Sequence, residues 1–497
     1  MTQVETTADG PSDLEGPWDV VVVGHGAAGL TAALSFLEES PLARVAVLDR
    51  ADRQHRGGST AWTTSAFRLD GDAQLDPGWA EIVRATSGHH VNDEYIEAFY
   101  ENATETLNWI RAHGVEIGKH QVPFQLAFGR QVWFPVGGGK AIVEALGAAI
   151  EGRGASVFYS TTALRLVTGA SSRVEGVVVR SGDGTEHTMR ARSVVLASGG
   201  FEANPEMLSR YIPNAHRLKT VSPGTDVNTG AGIRMAMEIG ADTAGQFDGA
   251  HLEPVDPRSS NREGQVGSWL FGILVNQRGE RFMDEAERPH DIHFDQVGNR
   301  IFRNQNGRAY AIVDAGIRAG VPRFEALNDQ ENPPLRADTV EGLAELLGVP
   351  GDALRRTIEE YNEACQDGEF DPARLDGKAT AGISPRKSNW AQPLAKPPYE
   401  GVPVEANICF TYGGLRVDGT SRVLNTDGRP ISGLWAAGEI TGIFHELYPA
   451  GTSVLRSLTF GRIAGREVAA ELAEAGAPAG GSAAVEAPSG SAAHSMV

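Results

Sequence analysis

Three glycines and one aspartate carry the clearest chemistry in the chain. Gly24, Gly26 and Gly29 lie in the run VVVGHGAAGL, and Asp49 ends a second apolar run, Val45 to Leu48. In this spacing Gly24 makes a tight turn, Gly26 lets backbone approach a pyrophosphate, and Gly29 lets a helix pack closely on a strand. The helix N terminus offers free N–H groups and a positive dipole end to the phosphates. Asp49 is placed to accept hydrogen bonds from a ribose. The chemistry is dinucleotide binding, and this fingerprint does not choose between FAD and NAD. Gly57-Gly58-Ser59-Thr60 forms a second small-residue turn, able to wrap a phosphate or a ring edge with backbone amides. GGGK, Gly137 to Lys140, opens a helix and is another candidate anion seat. A later strand, Val194 to Ala197, ends in Ser198-Gly199-Gly200. A strand ending in small residues beside the first fingerprint suits a flavoprotein, and a lone NAD-binding domain would not need it.

The elements that must position these residues follow from periodicity. Apolar spacing predicts helices over 90–113 and 140–152. Alternation with a Gly-Asp-Gly turn predicts a β-meander over 156–199. Residues 251–384 are richer in charge, carry ENPPLR, and contain an amphipathic stretch near 338–366. The strands then resume, and GTSVLRSLTFGRIAG opens a closing helix whose N terminus lies near Gly451 to Ser453. The expected fold is α/β: a Rossmann-like, glutathione-reductase-type FAD-binding domain formed by 17–250 and 385–474, with an α+β capping domain, 251–384, inserted between them. Residues 1–16 and 475–497 are polar or rich in Ala, Gly, Ser and Pro and are expected to be disordered.

Composition bounds the function. A chain of 497 residues accommodates two or three domains. A net charge of −20 at pH 7 speaks against nonspecific binding to nucleic acid or to anionic lipid. Cys365 and Cys409 are the only cysteines, so there is no disulfide framework and no iron–sulfur or zinc spacing. No metal site is expected. There is no apolar run of membrane-spanning length and no signal-peptide pattern, which points to a cytoplasmic protein without a membrane span.

In order along the chain, VVVGHGAAGL, GGST, GGGK, VVLASGGF, NTGAGIRMA, GILVNQRGERFMDE, GLWAAGEITG and SLTFGRIAG resemble the fumarate reductase/succinate dehydrogenase flavoprotein superfamily. GAHLEPVDP, ICFTYGGLRVD and HELYPAGTS are most similar to the tricarballylate dehydrogenase branch, and a tyrosine in the last motif is shared with the 3-ketosteroid dehydrogenase branch. The resemblance implies FAD, held mostly without a covalent bond. It implies hydride transfer between flavin N5 and a carbon beside a carboxylate or ketone. Carried over by position, Gly24, Gly26, Gly29, Asp49, Gly58, Ser59, Thr60, Gly199, Glu439 and Ser453 line the FAD, with Ala27, Ala28, Arg50, Gly57, Ala197, Gly438 and Val454 beside them. Ala163 matches a backbone contact to adenine. Fumarate reductases carry Arg where this chain has Tyr448 and His where it has Cys409, which argues against fumarate or succinate chemistry. The superfamily's NTGDG is NTGAG here, with Ala231 replacing the Asp.

Such a reaction needs a proton donor or acceptor and a group that stabilises enolate-like charge. Arg288 follows GERFMDE, one residue short of the fumarate reductase spacing for a proton-donating Arg, with Glu285 and Arg281 as its relay. His290 and His293 are alternative proton carriers, since histidine titrates near neutrality. His251 matches a substrate-binding His of the superfamily, and Tyr448 could hydrogen-bond a substrate carbonyl or carboxylate. Tyr412 and Arg456 are candidates for the same pocket, and His55 is a candidate for a covalent flavin link. The expectation is an FAD enzyme that desaturates, or in reverse reduces, a C–C bond α,β to a carboxylate or ketone, on a tricarballylate-like or cyclic keto acid. A 3-ketosteroid desaturase, a fumarate-reductase-like ene reductase, an NAD-linked alcohol dehydrogenase and a flavin-binding protein without turnover are the alternatives. No CxxCH haem motif is present, so electrons pass to or from a separate partner: oxygen, a quinone or a redox protein.

Overall fold

In the computed structural model, residue 14 and residues 16–262 and 264–476 are described. The expected disordered ends therefore fall largely outside the described residues. The apolar strand Trp18–Val23 is the centre of an eight-stranded sheet. It pairs in parallel with Val45–Leu48 on one side and with Glu186–Leu196 on the other. Ser156–Phe158 and Pro430–Ala436 extend the parallel core outward. Strands buried on both faces read as continuous Val/Leu runs, and VVVV and VAVL do so here. The predicted meander forms as Thr162–Thr168, Val174–Arg180 and Glu186–Leu196, paired antiparallel.

Glycine sets how closely the helices approach. The first helix, Ala27–Glu39, lies against the final helix, Ser453–Gly476. A Cβ on Gly461 would stand 2.3 Å from Ala28 O, and one on Gly465 would stand 2.4 Å from Ala32 O. Both are far inside contact distance, so the two backbones touch directly. This packing fixes the N termini of both helices relative to the sheet edge, where the site is built.

A second, antiparallel sheet forms the cap. Its order is Ala250–Val255, Tyr399–Thr411, Arg308–Asp314 and Ile273–Val275, with Leu335–Ala337 also on Tyr399–Thr411. Its central strand lies beyond residue 384, where the sequence suggested a return to the first domain. Alternation identifies a strand but not its partner. This 13-residue strand pairs with the cap along its whole length, and its last residue, Thr411, also donates through its backbone N–H to Glu439 of the other domain. The amphipathic stretch near 338–366 is two helices, Val340–Leu347 and Gly351–Ala364, because Gly348 turns left-handed (φ +70°) and Pro350 follows. Among the described residues no helix is long and apolar enough to cross a membrane.

The helix His290–Asn304 joins the two halves. Its Asp291 accepts from Arg68 of the first domain at 2.5 Å, and both side chains are buried. One turn on, Asp295 accepts from Tyr412 and from the Tyr448 backbone. Two buried carboxylates on one face of this helix therefore tie the cap to the nucleotide domain.

Candidate active site

One cavity of about 480 Å³ runs between the two domains. Its first wall is mostly backbone. Gly24 adopts φ +121°, and a Cβ there would lie 2.2 Å from Ala197 O, so only glycine fits. Gly26 faces the cavity, and its Cβ would stand 3.3 Å from Thr60 Oγ1, narrowing the cradle. The helix beginning at Ala27 has no side-chain cap, and Ala27 N donates to Thr60 Oγ1 at 3.1 Å. This cradle and uncapped helix fit a dinucleotide pyrophosphate. Gly29 is not on the cavity wall. Its Cβ would stand 1.9 Å from Gly24 O, so it serves packing.

Asp49 lines the cavity, and its carboxylate is fixed by two amides, Ala51 N at 2.9 Å and Gly57 N at 3.0 Å. Burial raises its pKa, and these two bonds oppose that rise. Arg50 donates to Val227 O and Thr229 Oγ1. Ala28, Gly57, Gly58, Ser59, Thr60, Ala163, Ala197, Gly199, Gly438, Glu439, Ser453 and Val454 stand on the same wall. Ala231 does too, at the start of a short helix. The GGGK turn is elsewhere: Gly139 presses on Thr60 O, and Lys140 reaches toward Glu144. His55 is exposed and bonded to Asp52.

The sequence missed Glu202, which lies behind this wall and forms a carboxyl pair with the wall residue Glu439. Asn228 Nδ2 donates to Ser59 Oγ and Glu202 Oε1, each at 3.0 Å, and to Glu439 Oε2 at 3.4 Å. Burial pushes the Glu439 carboxyl up to about 7. Burial and then the Glu439 charge push Glu202 up as well. Two buried acids so close hold one proton between them near neutrality. Arg456, also on the wall, donates to Thr441 Oγ1 at 2.8 Å and Tyr95 at 3.0 Å, while its Nε is buried without a partner.

The opposite wall is built from side chains that include Glu253, Gln265, Asn328, Asp329, Cys409 and Phe410, and Glu253 is joined to a buried network that does not itself line the cavity. His251 Nδ1 lies 2.7 Å from Asp295 Oδ1, and its Nε2 lies 3.6 Å from Glu253 Oε1. Burial alone would lower the His251 pKa, but bonds to these two carboxylates outweigh it and raise it to about 10. Burial would raise Glu253, and its bond to His251 holds it lower instead. Tyr412 donates to the other Asp295 oxygen at 2.7 Å. His251, Glu253 and Cys409 present ligand atoms within 4.8 Å of one another. Within this cluster His251 is held by ion pairs to Asp295 and Glu253.

Tyr448 packs edge-on to His251, with ring centroids 4.9 Å apart. Its hydroxyl oxygen accepts from Thr452 N and Ser453 N, both at 3.0 Å, and lies 3.1 Å from Ser453 Oγ. It thus sits on the N terminus of the final helix, just behind the cavity-lining Ser453.

The structure does not bring together the proton relay expected around Arg288. Arg288 is exposed and off the cavity wall, because the inward position that follows it is taken by Asp291 in its pair with Arg68. Glu285 is fully buried in an ion pair with Arg281 at 2.6 Å and accepts from Leu274 N, so it braces the cap. His290 stacks on Trp269, and burial lowers its pKa to about 4. His293 lies 2.7 Å from Asp284 O within the cap, and burial lowers its pKa too. None of these four lines the cavity.

Residues 19–455 match the family model described as an FAD binding domain. The chain is 28% identical to a vinyl phenol reductase of Lactiplantibacillus plantarum, over 91% of this chain and 96% of that protein. It is 32% identical to a 4-oxocyclohexanecarboxylate 2-dehydrogenase of Sinomonas cyclohexanicum, over 67% of this chain and 59% of that one. Among solved structures it superposes on a 3-ketosteroid-Δ4-(5α)-dehydrogenase of Rhodococcus jostii bound to 4-androstene-3,17-dione. The TM-score is 0.71 at 28% identity, covering 93% of this chain and 99% of that one.

Proposed function

Because this chain belongs to the FAD-binding domain family, within the fumarate reductase/succinate dehydrogenase flavoproteins, we propose that its cavity is the active site of an FAD-dependent oxidoreductase acting on CH–CH bonds. The reacting bond lies α,β to a ketone or carboxylate. One observation carries this reading: a single cavity joins the glycine cradle to Glu253, Cys409 and Ser453, and directly behind Ser453 a phenol oxygen rests on a helix N terminus. Two relatives support it, since their names specify dehydrogenation of 4-oxocyclohexanecarboxylate and of 3-ketosteroids, and a third, the vinyl phenol reductase, supports the C–C bond chemistry without the carbonyl.

FAD, when bound, supplies the two-electron hydride donor or acceptor. The chain's own residues do the rest. Gly24 to Ala28 and Asp49 hold the dinucleotide. Tyr448, polarised by the Thr452 and Ser453 amides, exchanges its Ser453 contact for the substrate carbonyl and donates a hydrogen bond as negative charge grows there. His251, held between Asp295 and Glu253, packs edge-on against the Tyr448 ring and helps to position it. Tyrosine in place of an arginine favours a ketone over a second carboxylate, and so a cyclic keto compound over a tricarballylate-like acid. Electrons are exchanged with a separate partner, oxygen, a quinone or a redox protein.

An anaerobic screen tests this. Reduced flavoprotein is mixed with cyclic enones, unsaturated carboxylates and 3-ketosteroids while the flavin band is followed. Reoxidation by an enone with formation of the saturated ketone is expected. Reoxidation by none of them, while oxygen still reoxidises the flavin, overturns the reading.

A further inference from the structure

Among the described residues the cap side of the cavity has no cation of its own. Among them Arg50 and Arg456 are the only basic side chains that line the cavity other than His25, and all three belong to the nucleotide domain. Arg50 is held by Val227 and Thr229. Arg456 stands against Thr441 and Tyr95, its charge facing the Glu439–Glu202 pair. The cap contributes Glu253, Gln265, Asn328 and Asp329 instead. Gln265 ties this wall together: its side-chain Nε2 donates to Glu253 Oε2 at 3.2 Å, and its backbone carbonyl accepts from Asp329 N at 2.7 Å. Asp329 Oδ2 is buried and accepts no hydrogen bond. The single positive charge of His251 lies between Asp295 and Glu253, so the network keeps one negative charge over, and Asp329 adds a carboxylate beside it.

Resting on the reading of the reaction given above, we infer that Glu253 and Asp329 make this an anion-excluding substrate end, which selects uncharged substrates carrying a hydrogen-bond donor, a hydroxyl or N–H, away from the reacting bond. A substrate carboxylate pushed against this wall meets like charge in a partly desolvated space, where repulsion is strong. A hydroxyl meets acceptors already in place, since ionised carboxylates only accept. Leaving such an acceptor unpaired is costly, so a substrate lacking the donor also loses affinity. The conjugated carbonyl is free to lie toward Tyr448.

One matched series tests this on the FAD-loaded enzyme by calorimetric titration: 4-(4-hydroxyphenyl)but-3-en-2-one, its 4-methoxyphenyl analogue and its 4-carboxyphenyl analogue. The hydroxyl compound is expected to bind at least about tenfold more tightly than the carboxylate, with the methoxy compound between them. Glu253→Gln is expected to raise carboxylate affinity about tenfold or more and to erase most of the hydroxyl advantage. If Glu253→Gln loses its flavin, Asp329→Asn is used, with the same direction expected. Equal binding of the carboxylate and hydroxyl compounds to wild type, or a ratio unmoved by the variant, overturns the inference and leaves the reaction standing. Failure of all three to bind, together with failure of every enone to reoxidise the flavin, removes the reaction and the inference with it.

Discussion

The two walls of the cavity are made of different material. The nucleotide wall is backbone: glycines at positions that exclude a Cβ, amides fixing Asp49, and an uncapped helix end. The cap wall is side chain: Glu253, Gln265, Asn328 and Asp329, with His251, Asp295 and Tyr412 bonded in a buried network behind Glu253. Backbone recognition reads the phosphates that every FAD carries, so it can be the same whatever the substrate. Side-chain networks can be exchanged one group at a time, so the cap wall is where substrate choice is written.

Breaking the nucleotide wall should have the largest effect. Gly26→Val places an isopropyl group in the cradle, and the protein is expected to purify nearly flavin-free, an affinity loss of about a thousandfold or more, about 4 kcal/mol. Flavin absorbance per mole of protein measures it, and a full complement of flavin would show that the pyrophosphate lies elsewhere. Tyr448→Phe acts on the other wall: kcat should fall about 10²-fold, with flavin content unchanged, because only one hydrogen-bonding group is lost. Steady-state kinetics at saturating enone separates this from a binding defect. Asp49→Ala should weaken FAD by roughly 1–3 kcal/mol, the cost of one charged hydrogen-bonding group, readable by equilibrium dialysis.

These expectations also show what the chain made legible. Gly24, Gly26, Gly29 and Asp49 could be read directly because their work is local: a turn, a close approach and a strand end, all within one strand–helix–strand unit. Asp295 could not, because it meets His251 from 44 residues away and Tyr412 from 117, and only folding sets such distances. Glu202 was missed for the same reason, being brought to Glu439 through Asn228. Arg288 was misplaced because a family spacing one residue short sets the wrong side chain facing inward, and Asp291 holds that position instead.

A smaller effect sharpens the comparison from the carboxyl pair. Both acids have pKa values raised by burial, so their contribution to stability is full below the ordinary carboxylate range and is lost as pH rises through about 7. Glu202→Gln removes the mutual repulsion. Its melting temperature relative to wild type should therefore rise by a few °C between pH 5 and pH 8. A difference that does not change with pH would mean that the pair does not share a proton. Arg288→Ala should do least, leaving kcat within about twofold and stability within about 0.5 kcal/mol, as for an exposed side chain. A hundredfold loss of turnover there would restore the relay that the geometry takes apart.

The central claim is that the two walls are halves of one active site, and anaerobic single-turnover mixing tests it most directly. Enzyme with its flavin fully reduced is mixed with a cyclic enone in a stopped-flow cell, and the return of the oxidised flavin band is compared with the saturated ketone formed. The account predicts one ketone per flavin in wild type, and the same stoichiometry at about a hundredfold lower rate in Tyr448→Phe. Flavin that stays reduced in the presence of every enone tried, or a Tyr448→Phe enzyme that turns over at the wild-type rate, would contradict it.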